Sequence, residues 1–178
     1  MILLVGASAS GKTEIAKCLA KKYDITKAIT HTTRPMREGE RQDVDYHFVS
    51  EKIFEEMLEK ELFVEHTTYN GYHYGCSKAE IAVDKCVVLD PEGLKSFLAL
   101  NEKTLVTFFL EASAKVREQR MRSRGDGEEN IQKRLHNDEK AFSKERVANC
   151  DYTIDSESGT VEELTDKIVE LYYKHLGK

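Results

Sequence analysis

Short, mainly apolar runs alternate along the chain with longer segments in which apolar residues recur every three or four positions. Apolar runs without polar alternation are typical of strands buried on both faces of a parallel sheet, and they occur at 2–5, 86–89 and 104–110. Shorter runs predict further strands at 28–30, 62–64 and 152–154. Helical spacing predicts helices over 12–22, 51–60, 91–100, 112–122, about 128–146 and from about 161 onward. The pattern therefore predicts an α/β fold in which helices cover both faces of a mainly parallel sheet.

Local residue choices sharpen several of these boundaries. Ser77 with Glu80, and Thr160 with Glu163, have the spacing of a capping box. They predict a short helix near residue 78 and the start of the final helix. The segment 69–75, rich in tyrosine and glycine, is predicted as a turn.

One long segment, 31–83, departs from the alternation of strand and helix, which predicts an insertion at the carboxyl end of a strand. Gly125 and Gly127 stand among charged residues, as in a mobile flap. A chain of 178 residues is long enough for one sizeable core and short for two. We expect a single domain over 1–178, with a core at 1–30 and 84–178, an inserted region at 31–83 and a lid at about 120–134.

Composition narrows the functional classes. Apolar residues make up 40% and charged residues 33% of the chain, as in globular proteins, and no apolar run approaches the roughly 18 residues of a membrane span. The formal net charge of −5 argues against nonspecific binding to nucleic acid. The four cysteines form no C-x-x-C pair and no secretory leader is evident, so a cytoplasmic protein with reduced thiols is expected. The six histidines have no metal-ligand spacing.

The arginines are clustered, although the lysines are scattered. Three arginines fall within 34–41 and four within 117–124. Because a guanidinium group holds phosphate or carboxylate bidentately, two clusters in an acidic chain suggest two sites for small anions. For 117–124, charge pattern alone favours a solvated helix face instead.

Residues 6–13 read GASASGKT, which fits G-x-x-x-x-G-K-[ST] between an apolar strand and a helix. This context indicates a P-loop, in which backbone N–H groups curl around the phosphates of ATP. The loop residues are Gly6, Ala7, Ser8, Ala9, Ser10 and Gly11. Lys12 is expected to reach the β- and γ-phosphates and Thr13 to hold Mg²⁺. The strand at 86–89 ends at Asp90, a second candidate for Mg²⁺, through water.

A P-loop, a second anion site and an arginine-bearing flap together indicate a nucleoside-monophosphate kinase. The run T-R-P-M-R-E-G-E-x-x-x-x-D-Y-H-F-V, at 33–49, resembles the acceptor-binding segment of guanylate kinases. Further blocks of that family follow in the same order: L-F-V-E at 62–65, G-Y-H-Y-G at 71–75, L-D-P-E-G at 89–93, R-S-R-G at 122–125 and D-Y-T-I at 151–154. The resemblance implies a P-loop NTPase-type three-layer αβα fold that transfers the γ-phosphoryl group of MgATP to GMP and dGMP.

The resemblance also implies roles for individual residues. Those expected to bind the acceptor are Thr30, Arg34, Arg37, Tyr46, Glu65, Tyr74, Cys76 and Asp90. Among these, Glu65 accepts from guanine N1–H and the 2-amino group, which adenine, with an acceptor at N1, would not satisfy. Arg120, Arg124 and Arg134 join Lys12 as catalytic residues around the phosphates.

Four positions depart from the family pattern. Cys76 stands where a hydroxyl usually donates to guanine O6, and Val88 replaces the first acid of an L-D-x-D run. Asp43 replaces a usual glycine, and Ser156 replaces an asparagine near adenine. Two alternatives therefore stay open: a kinase for another phosphorylated acceptor, such as ribose 1,5-bisphosphate, and a non-catalytic guanylate-kinase-like binding module. The sequence predicts nucleotides as partners and leaves the oligomeric state open.

Overall fold

The computed structural model describes residues 1–69, 71–147 and 149–178. Its strands are β1 (Ile2–Val5), β2 (Thr26–Lys27), β3 (His31–Thr32), β4 (His47–Phe48), β5 (Phe63–Tyr69), β6 (Tyr72–Ser77), β7 (Lys85–Leu89), β8 (Val106–Glu111) and β9 (Tyr152–Asp155). Its α-helices are α1 (Lys12–Tyr23), α2 (Glu51–Glu59), α3 (Pro91–Leu98), α4 (Ala114–Ser123), α5 (Glu128–Ala141), α6 (Lys144–Val147) and α7 (Val161–His175). A 3₁₀ turn spans Lys78–Glu80.

The central sheet of the described residues has the strand order β2-β7-β1-β8-β9, and every pairing in it is parallel. Alternate residues of β1 point to opposite faces. Ile2 and Leu4 therefore pack in one cluster with apolar residues of α1 and α7, whereas Leu3 and Val5 pack in another with residues of α3. The central sheet therefore lies between two layers of helices, with one apolar cluster on each face. This is the three-layer α/β architecture that the apolar runs predict.

A second sheet within the described residues has the order β4-β3-β6-β5. It mixes parallel pairing of β3 with β4 and antiparallel pairing of β6 with both β3 and β5. Helix α2 packs on it through Phe54, whose ring stacks on Phe63 at 4.5 Å between centroids. The chain leaves the central sheet after β2 and returns to it at β7.

The strand predicted at 28–30 is wrong, because these residues cross from one sheet to the other. Ala28 N still donates to Cys86 O at 2.8 Å in the central sheet, while Thr30 O already accepts from His47 N at 3.0 Å in the second. The last polar helix is also shorter than predicted, since α5 ends at Ala141 and α6 begins at Lys144.

The turn predicted at 69–75 is instead a hairpin in which β5 and β6 pair from Phe63 to Ser77. Gly75 lies inside β6 because its backbone approaches an aromatic ring: a Cβ there would lie 2.7 Å from the Phe63 ring. A glycine within a strand can thus mark close packing rather than a turn.

One predicted capping box is present and the other is not. At the start of α7, Thr160 Oγ1 accepts from Glu163 N at 3.2 Å and Glu163 Oε2 accepts from Thr160 N at 2.8 Å. Ser77 makes no side-chain cap, and the Glu80 carboxylate, which would complete the box, instead accepts from Ile29 N at 2.9 Å. A tertiary contact has overridden a local preference. No helix in the described ranges is long and apolar enough to cross a membrane.

Candidate active site

The glycine-rich loop 6–13 joins the central strand β1 to α1. A Cβ at Gly6 would lie 2.7 Å from the carbonyl oxygen of Leu110, so only glycine fits there. Gly11 and Ala9 adopt left-handed backbone conformations, with φ of 101° and 62°, and Ser10 is fully buried beneath the loop. Such consecutive turns aim backbone N–H groups into a concave nest that favours anions.

Lys12 lies across this nest. Its ammonium group donates to Gly6 O at 2.5 Å and to Ala7 O at 2.8 Å. Burial lowers the pKa of Lys12 from 10.5 to about 8, although the Asp138 carboxylate acts in the opposite direction. An anion bound in the nest, in addition to Asp138, would therefore stabilise the charged form of Lys12.

A cavity of about 570 Å³ opens beside the loop. Its lining includes Thr13, which follows Lys12, and several apolar side chains: Ile15, Val116, Val161 and Leu164. A mostly apolar cavity at the mouth of a phosphate nest suits a flat heteroaromatic base.

Arg120 links the loop to the far wall of this cavity. One guanidinium nitrogen donates to Ala9 O at 3.2 Å and another to Ser156 O at 2.6 Å. The Ser156 hydroxyl is turned away, because it donates to Glu111 O at 2.9 Å. Ser156 therefore presents its backbone to the cavity. Its side chain does not take over the role of the asparagine that other family members have at this position.

The other two predicted lid arginines are brought together by an acidic residue that the sequence reasoning missed. Asp126 Oδ2 lies 2.7 Å from Arg124 Nη2 and 3.4 Å from Arg134 Nη1. Both arginine side chains are 51% exposed. Gly125, with φ of 84°, makes the turn that places Asp126 between them. The charge alternation in Arg124-Gly125-Asp126 is a local pattern from which this contact could have been predicted.

A second acidic residue missed by the sequence reasoning lies beneath the P-loop. Asp138 Oδ2 accepts from Ser8 N at 2.8 Å and from Arg117 Nη1 at 2.9 Å. The expected solvated face is therefore wrong for Arg117, which is buried. It is correct for Arg122, which forms exposed ion pairs with neighbouring glutamates.

On the second sheet, Arg34, Tyr46 and Tyr74 come together. The Arg34 guanidinium lies over the Tyr46 ring at 5.4 Å, and the Tyr46 and Tyr74 ring centroids are 6.1 Å apart. Glu40, also missed, binds Arg34 bidentately at 2.8 and 3.1 Å and accepts from Arg37 N at 2.7 Å. This ion pair lowers the pKa of Glu40. The Arg37 side chain is exposed.

The loop before β4 explains one departure from the family pattern. Asp43 has a left-handed φ of 60°, a conformation that glycine adopts freely and aspartate tolerates better than most residues. Its carboxylate pairs with His47 Nδ1 at 2.7 Å, which ties the loop to β4. Thr30 lies at the entry to this sheet, where its carbonyl accepts from His47 N.

Two more predicted acceptor residues, Glu65 and Asp90, line an acidic cavity of about 660 Å³. Cys76 lies opposite Glu65 across the β5–β6 ladder. Burial, and then the charge of Asp90, raise the pKa of Glu65, and burial raises the pKa of the Cys76 thiol to about 12. Asp90 also caps α3, since its Oδ1 accepts from Gly93 N at 2.8 Å.

No group of three or more histidine, cysteine or acidic side chains within the described ranges is arranged to hold a metal. Mg²⁺ is usually bound by one or two protein oxygens together with phosphates and water. Thr13, in the lining of the loop cavity, supplies an oxygen of that kind. The residues present therefore fit a phosphate-bound magnesium ion rather than a protein-caged one.

A parallel sheet with a P-loop after its central strand, arginines facing that loop and an inserted sheet with its own arginine site together define a P-loop kinase. The family model for guanylate kinase matches residues 1–172, and the chain belongs to the guanylate kinase family.

Individual proteins support the same assignment. The chain is 35% identical to the guanylate kinase of Nitrosococcus oceani over 138 residues, covering 74% of this chain and 68% of that one. It is 31% identical to that of Prochlorococcus marinus over 179 residues, covering 96% and 95%. Among solved structures, guanylate kinase from Anaplasma phagocytophilum is 25% identical with a TM-score of 0.65, covering 99% of this chain and 87% of that chain. Shikimate kinase from Acinetobacter baumannii, 15% identical with a TM-score of 0.50 over 97% and 92% of the two chains, shares the fold alone.

These comparisons confirm the predicted α/β P-loop fold and the predicted family. The roles of the individual residues stay predictions.

Proposed function

We propose that the protein transfers the γ-phosphoryl group of MgATP to the phosphate of GMP or dGMP, giving ADP and GDP or dGDP. One observation carries this proposal: the residues assigned to the acceptor phosphate and those assigned to its base share one face of the second sheet. Tyr74 and Cys76 are two residues apart on β6, and Glu65 lies opposite Cys76 on β5. Alternate residues of a strand, and directly opposed residues of a ladder, share a face. A nucleotide lying along this face would meet Arg34 with its phosphate and Glu65 with its base.

Guanine is the base that this pocket suits. A carboxylate whose pKa is raised by burial gains most from two adjacent N–H donors, which guanine supplies at N1 and the 2-amino group. The Cys76 thiol, with a pKa of about 12, keeps its proton at neutral pH and offers a weak donor to O6. Adenine would leave the half-buried carboxylate of Glu65 without its donors and be rejected.

On the donor side, we assign the polyphosphate of ATP to the N–H groups of the P-loop and to Lys12. Thr13 would hold Mg²⁺, with Asp90 reaching it through water. When bound, the ion would neutralise charge that develops between the β- and γ-phosphates. The apolar cavity beside α4 and α7 would take the donor base.

The acceptor phosphate is itself the nucleophile, so no side chain needs to act as a strong base. The protein's contribution is to align the two nucleotides, neutralise charge and exclude water. We propose that the lid at about 120–134 closes over the phosphates and that the region 31–83 closes over GMP, both moving against the core 1–30 and 84–178. Arg124 and Arg134 would then leave Asp126 for the transferred group, beside Arg120.

The free cysteines Cys18, Cys76, Cys86 and Cys150 support a reducing, cytoplasmic setting.

A coupled assay of ADP formation from MgATP tests the proposed reaction with GMP, dGMP, AMP, UMP and ribose 1,5-bisphosphate. We expect turnover with GMP and dGMP at least 10²-fold above the others in kcat/KM. A preference for ribose 1,5-bisphosphate would establish the first alternative. Absence of ATP binding in calorimetry would point to a non-catalytic module.

A further inference from the structure

A buried ion pair joins the two helices that carry the lid arginines. Arg117 on α4 and Asp138 on α5 lie 2.9 Å apart, and their side chains are only 8% and 12% exposed. Arg117 is fixed further by its Nε, which donates to Ala112 O at 3.3 Å.

The same carboxylate oxygen also reaches the P-loop. Asp138 Oδ2 accepts from Ser8 N at 2.8 Å, in addition to the Arg117 contact. One oxygen atom therefore connects three segments: the phosphate-binding loop, α4 and α5. Burial lowers the pKa of Lys12. The negative charge of Asp138 opposes this shift, whereas the positive charge of Arg117 adds to it.

The ion pair lies on the faces of α4 and α5 that carry the lid arginines. On α5, Asp138 follows Arg134 by four residues, and on α4, Arg117 precedes Arg120 by three. Residues three or four apart on a helix are neighbours on one face. The pair therefore fixes the rotation and the axial position of the segments that present Arg120 and Arg134.

This contact differs from the ion pair around Asp126. Arg124 and Arg134 are both 51% exposed, so water can replace Asp126 when they move. Arg117 and Asp138 have little access to water. Separating them would leave two buried charges unpaired, which is strongly unfavourable. The buried pair is therefore suited to remain fixed while the proposed lid closes.

We propose that Asp138, held by Arg117, is a positioning residue for phosphoryl transfer: it holds the P-loop and the lid helices in the arrangement in which Lys12 and the lid arginines converge on one phosphoryl group. The inference rests on the proposed kinase function. Neither residue needs to touch a nucleotide for it to hold.

The test replaces the pair as a unit, with the double variant Arg117→Met/Asp138→Leu. A buried ion pair can be exchanged for apolar residues of similar size without loss of stability, so this variant should unfold at a urea midpoint close to that of the wild type. We expect kcat to fall about 30- to 100-fold with KM for GMP changed less than twofold, because a displacement of about 1 Å near reacting groups can cost about 10²-fold in rate. Affinity for a non-hydrolysable ATP analogue, measured by calorimetry, should fall about tenfold because Ser8 N–H loses its anchor.

A matched control is Lys22→Met/Asp166→Leu, which removes an exposed ion pair that also joins two helices, α1 and α7. We expect wild-type kcat and analogue affinity in this control.

Asp138→Asn is a second variant. It keeps an oxygen for Ser8 N–H but gives Arg117 no opposite charge, and kcat should fall about tenfold.

Wild-type kcat and wild-type analogue affinity in the folded Arg117→Met/Asp138→Leu variant would overturn the inference, since the pair would then only stabilise the fold. If the wild type forms no GDP from GMP, the proposed function fails. In that case the analogue affinity, which needs no acceptor, still decides whether Asp138 positions the P-loop.

Discussion

Replacing Lys12 by methionine should abolish turnover and at the same time stabilise the folded protein. The lysine ammonium is largely removed from water, where it donates only to the carbonyl oxygens of Gly6 and Ala7. Methionine retains the length and the apolar stem of the side chain and removes the charge. Turnover is lost because no ammonium group reaches the β- and γ-phosphates.

The size of the stabilisation follows from the pKa of Lys12. One pKa unit corresponds to about 1.36 kcal/mol, so the fall from 10.5 to about 8 makes the charged lysine cost about 3 kcal/mol at neutral pH. Losing the two hydrogen bonds offsets part of this gain, at about 1 kcal/mol each. We expect Lys12→Met to raise the free energy of unfolding by about 1–2 kcal/mol at pH 7.

The effect should depend on pH with a definite sign. Between pH 8 and 10.5, Lys12 in the folded state has lost its proton while the unfolded chain still binds it. Stability rises with pH wherever the unfolded state binds more protons. The wild type therefore gains stability from Lys12 over this range, whereas the variant does not, and the difference between them should shrink by pH 10.5.

Urea unfolding followed by circular dichroism at pH 7, 8.5 and 10 measures this difference by linear extrapolation. Lys17→Met is the control, because Lys17 is an exposed lysine of the same helix, with 68% of its side chain accessible. Its stability should change by less than about 0.5 kcal/mol at every pH. A Lys12→Met protein less stable than the wild type at pH 7, or a stability difference independent of pH, would refute the reasoning.

Three further substitutions examine the base pocket and the lid. Cys76→Ser should tighten GMP binding about fivefold in calorimetry, because a hydroxyl donates to guanine O6 better than a thiol; unchanged or weaker binding would contradict the placement of Cys76. Glu65→Gln should lower kcat/KM for GMP about 10²-fold in the coupled assay, because the amide cannot accept from both guanine donors, and a loss below threefold would remove Glu65 from recognition. Asp126→Asn should lower KM for ATP about two- to fivefold, since an exposed ion pair of about 0–1 kcal/mol no longer competes for Arg124 and Arg134; a higher KM would mean that Asp126 assists binding instead.

Sequence alone predicts the parts of the molecule whose determinants are local. The P-loop is specified by eight consecutive residues, and its neighbour β1 by an apolar run of four residues, each with 0% exposure. The capping box of Thr160 and Glu163 is also local, and it forms as predicted. Family resemblance adds Arg34, Tyr46 and Tyr74, which do come together.

The features that sequence did not predict depend on distant contacts. Glu80 has the spacing of a helix cap, but the backbone of Ile29 competes for its carboxylate and prevails. Asp138 is 130 positions from Ser8, so no local pattern connects them. Arg117 illustrates the same limit. An arginine in a charged helix was expected on a solvated face, but Arg117 is buried.

Two acidic residues near the proposed lid, Asp126 and Asp138, differ in how exposed their arginine partners are, and this difference separates a contact that can yield to a nucleotide from one that cannot. Asp126 binds arginines that are 51% exposed, so its ion pairs are worth at most about 1 kcal/mol. A doubly charged phosphate, which accepts several charge-assisted hydrogen bonds, outcompetes such a partner. Asp138 is bound to a buried guanidinium group and to the P-loop backbone, and a phosphate that displaced it would leave Arg117 buried and unpaired. The same chemical pair, a carboxylate with an arginine, is therefore a releasable contact at the exposed tip of the proposed lid and a permanent joint at its base.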